Sequence, residues 1–243
     1  MRHVRAAWRG VRVLWWVAHG WWRVQRDFPR LDAQAQAREV EAWARRMLAI
    51  MGIDLHVEGT PAEGPVLLAA NHISWLDILV MHAGRHCRFV AKSEIRRWPL
   101  LGPLTTAGQS LYIERASSRD AMRVLNTMTD ALLAGDVLAV FPEASTGDGQ
   151  ALLPFHGNLL QSAISADVPI QPVALRFVDA ATNTPSRAPC YVGNDTLVVS
   201  VWRTLSAPPL RARVRYGEPE RAQGRSRRVW AQQLRQSVHE LLR

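Results

Sequence analysis

The chain has 243 residues, a length that accommodates one large domain or two small ones. Hydrophobic residues make up 48% of it and charged residues 21%, which argues against an intrinsically disordered chain. Two cysteines are too few for a disulfide-stapled secreted domain, and no apolar run has the length of a confident membrane-spanning helix. The Arg-rich start lacks the clean apolar h-region and the small-residue cleavage site of a signal peptide, so no cleavable signal peptide is predicted.

The formal net charge of +9 is concentrated at the two ends of the chain. Residues 1–50 carry ten Arg and four acidic residues, and residues 211–243 carry nine Arg and three acidic residues. Residues 51–210 have a net charge of −3. Two basic ends flanking a mildly acidic body favour a polyanionic partner, either a nucleic acid or an anionic membrane surface.

The N-terminal segment favours the membrane. Six of the ten tryptophans lie within the first 50 residues, and Val11–Trp22 is apolar and aromatic with arginines at both ends. Trp and Arg are the residues that a membrane interface selects. Twelve residues form a helix of only about 18 Å, too short to span a bilayer. We predict a helix that lies in or dips into the interface; the alternative is a Trp-rich helix packed on the protein's own core. No nucleic-acid partner is predicted, because the usual binding motifs are missing.

Helices and strands are predicted to alternate along the rest of the chain. Residues 32–50 have the spacing of an amphipathic helix, and Ile53–Glu58 alternates as a half-buried strand does. Short apolar runs typical of buried strands are Val66–Ala70, Phe89–Ala91, Leu111–Ile113, Val137–Phe141 and Ile170–Phe177. Further helices are predicted over residues 76–86, 119–134, 157–166, 197–205 and 225–242. Leu210–Tyr216 alternates arginines with smaller or apolar residues, like an edge strand, and residues 180–196 form a long loop. The pattern predicts an α/β fold with a largely parallel central sheet flanked by helices.

Polar residues follow two of the predicted strands immediately. Asn71 and His72 come directly after Val66–Ala70, and Pro142 and Glu143 come after Val137–Phe141. In parallel sheets, ligands bind at the carboxyl ends of the strands. We therefore expect the functional site at these two strand ends.

His72 and Asp77 are candidates for a base and its orienting carboxylate. Residues five apart on one helix point about 140° away from each other, so these two meet only if His72 precedes the helix. With Ser74 as N-cap, Asp77 would lie in the first turn and hold the imidazole, and a substrate hydroxyl would serve as nucleophile. The alternative is structural: Ser74 and Asp77 also match the [ST]-x-x-[DE] capping box, in which Asp77 only caps the helix.

Four blocks in order resemble those of the glycerolipid acyltransferases, the lysophosphatidic acid acyltransferase family. The first is the His-x4-Asp block of Asn71–Asp77; the others are Val90–Arg115, Phe141–Thr146 and Val168–Val173. The resemblance covers about residues 55–178. A lone His-x4-Asp is weak, whereas four blocks in the expected order are specific.

The resemblance implies an O-acyltransferase that moves a fatty acyl chain from acyl-CoA or acyl carrier protein to the free hydroxyl of a lysophospholipid. The expected reaction converts 1-acylglycerol 3-phosphate to phosphatidate. His72 would be the general base and Asp77 would orient it, with no covalent acyl-enzyme, no cofactor and no metal. The implied location is the cytoplasmic face of a bacterial inner membrane, with peripheral or monotopic attachment.

The resemblance also implies a set of substrate-binding residues. Arg115 would bind the acceptor phosphate through two charge-assisted hydrogen bonds. Lys92 is the only lysine beside 29 arginines, which indicates a compact point charge at a close-fitting site. Glu143, with Ser145 and Thr146 in the loop after it, would shape the acceptor site.

Two positions depart from the family pattern. Ala144 replaces the usual glycine, which leaves the turn less free to adopt a positive φ. Thr146 replaces the usual arginine, so that one phosphate-binding charge is missing. The acceptor could thus be another lysolipid, such as lyso-ornithine lipid, or the chain could be a catalytically weak membrane-bound scaffold.

The predicted organisation has three parts. Residues 1–50 form basic, Trp-rich helices that associate with a membrane, residues 51–216 the acyltransferase domain, and residues 217–243 a basic C-terminal helix. His82 and His86, four apart on a predicted helix, form a conceivable metal pair, but no third ligand is evident in the sequence and no metal site is predicted.

Overall fold

The computed structural model describes residues 2–99, 101–113 and 118–243. Within these ranges the helices are α1 (Arg2–Arg26), α2 (Ala33–Met51), α3 (Leu76–Gly84), α4 (Leu101–Ala107), α5 (Ser118–Leu133), α6 (Gln161–Ala166), α7 (Leu197–Ser206) and α8 (Arg227–Leu241). The strands are β1 (Ile53–Glu58), β2 (Val66–Ala70), β3 (Arg88–Lys92), β4 (Leu111–Ile113), β5 (Val137–Val140), β6 (Ile170–Asp179) and β7 (Leu210–Tyr216). Short 3₁₀ turns occupy Phe28–Arg30 and Ser93–Arg97.

The strands form one sheet in the order β1-β7-β6-β2-β5-β3-β4. Neighbouring strands within the described ranges are parallel except β6 and β7, which are antiparallel. The predicted α/β fold with a largely parallel sheet flanked by helices is confirmed. The apolar runs became strands because parallel strands covered by helices are buried on both faces; β2, for example, is buried throughout.

The prediction of an edge strand at Leu210–Tyr216 is wrong, because β7 lies between β1 and β6. Its arginines all point to one face, where carboxylates of β1 neutralise two of them: Arg211 pairs with Asp54, and Arg215 with Glu58. The opposite face of β7 is apolar and buried. An interior strand therefore carries the alternating pattern that usually marks an edge.

Each face of the sheet has its own hydrophobic core. Leu68 and Ala70 of β2 point to the face covered by α2 and α3. Leu67 and Ala69 point to the opposite face, covered by α5, α6 and α8. Trp230 of α8 is fully buried there, so that the basic C-terminal helix packs in the same core as the strands that carry the candidate site.

The N-terminal helix α1 is longer than the sequence predicts and packs closely on α2. The indole N–H of Trp16 donates to the carbonyl oxygen of Trp43 at 3.2 Å. The indole N–H of Trp43 donates to the carbonyl oxygen of Trp16 at 3.3 Å. A Cβ at Gly20 would lie 2.4 Å from Nε1 of Trp43, so this close approach requires glycine. Part of the Trp-rich segment thus packs on the protein itself.

The other side of α1 is an exposed apolar stripe. Val4, Trp8, Val11, Trp15 and Trp22 recur at helical spacing, and 64% of Trp8 and 63% of Trp15 are exposed. The alternative of packing on the protein's own core is thus confirmed for Trp16 and Trp43, and the exposed tryptophans leave the membrane interpretation a prediction. Among the helices described, none is at once long and apolar enough to cross a bilayer.

Candidate active site

The imidazole of His72 and the carboxylate of Asp77 meet where β2 ends and α3 begins. Nδ1 of His72 lies 2.9 Å from Oδ2 of Asp77, and Asp77 is completely buried. His72 lies on the turn before the helix, as the pairing requires. A carboxylate on Nδ1 favours the tautomer with its proton there, which leaves the lone pair of Nε2 able to accept a proton. In the described chain Nε2 has no hydrogen-bond partner, and 19% of the side chain is exposed.

The same carboxylate oxygen also organises the start of α3. Oδ2 of Asp77 accepts the backbone N–H groups of Ile73 at 2.6 Å and Ser74 at 2.8 Å, and Oγ of Ser74 accepts that of Leu76 at 3.2 Å. The contacts that the capping interpretation requires and those that the catalytic interpretation requires are therefore both present. One oxygen holds the helix start and the imidazole together.

Phe141 fixes the plane of the imidazole. Its ring is stacked on that of His72 with 4.0 Å between centroids and 9° between planes. Phe141 follows β5, and β5 pairs with β2, so that the neighbouring strand ends bring the two rings together. The sequence places Phe141 at the end of a strand and at the start of the block Phe141–Thr146, but its contact with His72 was missed.

Glu143 is buried behind His72 and acts through it. Oε1 accepts the backbone N–H of His72 at 2.7 Å, and Oε2 accepts that of Leu153 at 2.7 Å. Burial raises the pKa of Glu143, and these two hydrogen bonds oppose the shift. Since both oxygens accept backbone N–H groups, Glu143 fastens the backbone at His72 to the loop at Leu153.

The loop after Glu143 adopts the turn that its sequence disfavours. Ala144 has a φ of +58°, in the left-handed region where glycine is preferred. Ser145 is exposed. Thr146 donates its hydroxyl to the carbonyl oxygen of Tyr191, so it fastens the loop to the 180–196 segment. No basic side chain lies between residues 142 and 153.

Two of the expected substrate-binding residues are not assessed by the structure. Lys92 ends β3, beside β5 at the same edge of the sheet, but its side chain is not among those described. Arg115 lies outside the described residues. Their roles remain predictions.

A large apolar cavity opens beside His72. Its volume is about 810 Å³, and its walls come from α1, α2, α3, β3 and the strand end at Phe141. Trp16, Met47, Trp75, Leu79 and Phe89 are among the lining residues. Its size and apolar walls suit a hydrocarbon chain. These residues could not be named from the sequence, because the fold brings them together from distant segments.

A smaller cavity of about 280 Å³ lies on the α8 side of the sheet. We call it the polar cavity; it is lined by Asn71, His72, Ile73, Glu143, Gly147, Gly149, Gln150, Ala151, Leu152, Arg176, His239, Leu242 and Arg243. Among the described residues, His72 alone lines both cavities. The base therefore stands between an apolar space and a polar one.

His82 is buried, and His86 is partly buried beside it. Their ring centroids are 5.4 Å apart, and His82 also meets the edge of Phe89. Burial, and to a lesser extent the charge of His86, lowers the pKa of His82 to about 3. In the chain as described, no group of three or more His, Cys, Asp or Glu side chains is arranged to hold a metal ion.

Comparisons with known proteins agree with this geometry. The model of the acyltransferase family matches residues 53–176. The chain is 32% identical to the lyso-ornithine lipid O-acyltransferase of Pseudomonas aeruginosa over 98% of its own length and 93% of that protein. It is 38% identical to the 1-acyl-sn-glycerol-3-phosphate acyltransferase of Neisseria meningitidis over 74% of its length and 71% of that protein.

A solved structure shares the fold. The crystal structure of the 1-acyl-sn-glycerophosphate acyltransferase from Thermotoga maritima superposes with a TM-score of 0.69 and 18% identity, covering 100% of this chain and 97% of that one. The sheet and its flanking helices are thus arranged as in that structure.

Proposed function

Because this chain belongs to the acyltransferase family, we propose that it transfers a fatty acyl chain from an acyl thioester to the free hydroxyl of a lysolipid. The observation that carries this proposal is the His72–Asp77 pair beside a large apolar cavity. A base that is held by a buried carboxylate and borders a space for a hydrocarbon chain suits acyl transfer.

In the proposed reaction, Nε2 of His72 takes the proton from the lysolipid hydroxyl as its oxygen attacks the thioester carbonyl carbon. The tetrahedral intermediate then collapses, the carbon–sulfur bond breaks, and the imidazolium returns its proton to the departing thiolate. Asp77 stabilises the imidazolium in between through its hydrogen bond to Nδ1. Acyl-CoA or acyl carrier protein would supply the thioester, and the scheme includes no covalent acyl-enzyme and no cofactor.

The proposed acceptor is 1-acylglycerol 3-phosphate, which would be converted to phosphatidate. The 38% identical relative from Neisseria meningitidis bears the name of that activity. In this proposal Arg115 and Lys92 bind the phosphate, as the family resemblance implies.

Lyso-ornithine lipid is the second candidate acceptor. The relative that aligns with 98% of the chain is a lyso-ornithine lipid acyltransferase. Thr146 also favours this acceptor, because it replaces a phosphate-binding arginine of the family pattern. Its hydroxyl donates to the carbonyl oxygen of Tyr191.

We propose further that the enzyme works on a membrane surface, at its cytoplasmic face, where the acyl thioesters are. The exposed stripe of α1 supports this, and α7, which packs against α1, extends it with Val198 and Trp202. Exposed indoles and aliphatic side chains next to arginines are typical of helices that lie in an interface. The lysolipid would then reach the site from the membrane.

The test is acyl transfer from a labelled acyl thioester, with both acceptors offered in parallel and His72→Ala as the matched variant. We expect one of the two lysolipids to be acylated by the wild type. The variant should be slower by at least about 10²-fold, the lower end for a general base.

The outcomes separate the candidates. Acylation of 1-acylglycerol 3-phosphate supports the first acceptor, and acylation of lyso-ornithine lipid alone supports the second while leaving the base in place. If the folded wild type acylates neither with either donor, the proposed function is wrong, and a membrane-bound scaffold becomes the better account.

A further inference from the structure

Arg176 lies in β6, which is a neighbour of β2 in the sheet, and β2 ends just before Asn71 and His72. The carboxamide of Asn71 accepts the backbone N–H of Leu175 at 2.7 Å and donates to its carbonyl oxygen at 3.0 Å. Asn71 directly precedes His72, and Leu175 directly precedes Arg176. This pair of hydrogen bonds therefore ties the two polar residues to the same edge of the sheet.

Arg176 is a half-buried cation that the described part of the chain provides with no hydrogen bond and no ion pair. The arginines on the adjacent strand all have partners: Arg211 bonds to Asp54 and Asn183, Arg213 to Asn183, and Arg215 to Glu58. Burial, followed by the charges of Arg215 and Arg213, lowers the pKa of Arg176. Among the described residues, no anion pairs with Arg176 to offset the free-energy cost of burying its charge.

The polar cavity as a whole has an excess of positive charge. Arg176 and Arg243 both line it, and His239 lies 3.4 Å from a guanidinium nitrogen of Arg243. Glu143 is the one carboxylate side chain among the described lining residues, and both of its oxygens accept backbone N–H groups. An unpaired guanidinium in a partly enclosed space is a suitable partner for phosphate or carboxylate.

We propose that the polar cavity binds an anionic group of a substrate, a phosphate or a carboxylate, with Arg176 as its partner in that cavity. This inference rests on the proposed function. His72 borders both cavities, so a substrate that places its charged end against Arg176 brings its reacting atoms to the base. Arg176 also supplies a cation on the side of the 142–153 loop, which has none of its own.

Two sources could provide the anion: the headgroup of the lysolipid, or the phosphate of the phosphopantetheine arm that carries the acyl thioester. The experiment measures KM for acceptor and donor separately in the wild type, Arg176→Gln and Arg176→Lys. Arg211→Gln is the matched control. It removes a cation from the neighbouring strand β7, and this cation does not line the cavity.

We expect Arg176→Gln to raise one of the two KM values by about 10- to 100-fold, as befits a lost hydrogen-bonded charge pair. Arg176→Lys should recover part of the loss, and Arg211→Gln should stay within twofold of the wild type. A rise for the acceptor assigns the cavity to the headgroup, and a rise for the donor assigns it to the phosphopantetheine phosphate. If both KM values stay within twofold in Arg176→Gln, the inference is wrong.

A binding measurement tests the cavity without turnover. Glycerol 3-phosphate and 4′-phosphopantetheine are added separately at millimolar concentrations while the Tm is recorded. At least one should raise the Tm of the wild type and of Arg211→Gln, and should leave that of Arg176→Gln unchanged. If neither compound shifts the wild-type Tm, the anion site is refuted; a shift in an inactive wild type would uphold the site while the proposed reaction fails.

Discussion

The rings of His72 and Phe141 lie face to face, with 4.0 Å between their centroids and 9° between their planes. Phe141 in turn stacks on Phe89 at 5.7 Å. The hydrogen bond to Asp77 fixes the direction of the imidazole, and the stack fixes its tilt. Together they hold Nε2 in one orientation before a substrate arrives, which is the preorganisation that proton transfer requires.

Replacing Phe141 with Leu should lower kcat while leaving the binding of substrates nearly unchanged. Leucine is apolar but cannot hold the imidazole flat, and a displacement of about 1 Å at a catalytic group can cost up to 10²-fold. We expect a loss of about tenfold in kcat in steady-state assays. Phe177→Leu, in the core of the same sheet face, is the control: it should destabilise the fold but spare kcat. An equal loss in both variants would mean that the stack has no special role.

Substitutions at Asp77 and Ser74 should distinguish the catalytic role of the capping box from its structural role. Asp77→Asn keeps the shape but removes the charge that stabilises the imidazolium, so kcat should fall by at least about 10²-fold. Ser74→Ala removes only the cap to Leu76, and should lower the free energy of unfolding by about 1 kcal/mol. Denaturant unfolding and kcat, measured on both variants, check this. A large kcat loss in Ser74→Ala would contradict the separation.

Ala144→Gly should stabilise the protein. Ala144 has a φ of +58°, and an L-residue in this conformation costs roughly 1–2 kcal/mol, of which glycine recovers part after its greater freedom in the unfolded chain. The expected gain in the free energy of unfolding is about 0.5–1 kcal/mol, from urea titration. Ala151→Gly, in the same loop but without a positive φ, should lower stability instead. A stabilisation of both variants would remove the strain argument.

The buried imidazole of His82 should make the free energy of unfolding decrease at acidic pH. Its pKa is about 3 in the folded protein and 6.5 ordinarily, so between these pH values the unfolded chain binds a proton that the folded chain does not. The free energy of unfolding therefore declines as the pH falls from 6.5 towards 3, by about 1.4 kcal/mol per pH unit from this residue. Urea titrations at pH 7, 6, 5 and 4.5 follow it.

His82→Leu should flatten that dependence, whereas His56→Gln, which removes an exposed histidine of β1, should leave it unchanged. Some slope will persist in His82→Leu, because burial also lowers the pKa of His86. Parallel curves for the wild type and His82→Leu would show that His82 is not the titrating group.

The exposed stripe of α1 should determine membrane binding. The double variant Trp8→Ser and Trp15→Ser removes two of its most exposed indoles, and we expect at least about tenfold weaker binding to vesicles that contain anionic lipid, a change of about 1.4 kcal/mol. Sedimentation with vesicles measures it. Met122→Ser on α5 is equally exposed and should have no effect. Unchanged vesicle binding in the double variant would assign attachment to another surface.

Local pattern was sufficient for the strands and for the contact between His72 and Asp77, because both depend on short-range order. The runs at Val66–Ala70 and Val137–Val140 are apolar throughout, which only burial on both faces explains. His72 and Asp77 lie within six residues of each other, so that their pairing follows from the geometry of one helix start. The strand β7 was misplaced because neighbours in a sheet are set by distant segments, and its arginines find carboxylates that the sequence does not locate.

The surroundings of the base needed the structure. Glu143 was expected to shape the acceptor site together with the loop after it; that both of its oxygens accept backbone N–H groups is a detail that no spacing reveals. Arg176 was missed although a signal existed: it is the one charged residue between Ile170 and Val178, in a strand otherwise buried. A lone charge in a buried strand either pairs with another group of the protein or binds a ligand.

The helix α1 has a fixed rotational phase, since one side of it walls the apolar cavity and the other faces outward. Adding a single residue ahead of Gly20 would turn the preceding part of the helix by about 100°, which would rotate its inner side away from the cavity. Adding seven residues, close to two full turns, would nearly restore the phase. This segment should therefore tolerate changes of length in steps of whole turns, and the lengths found among natural variants should be quantised accordingly.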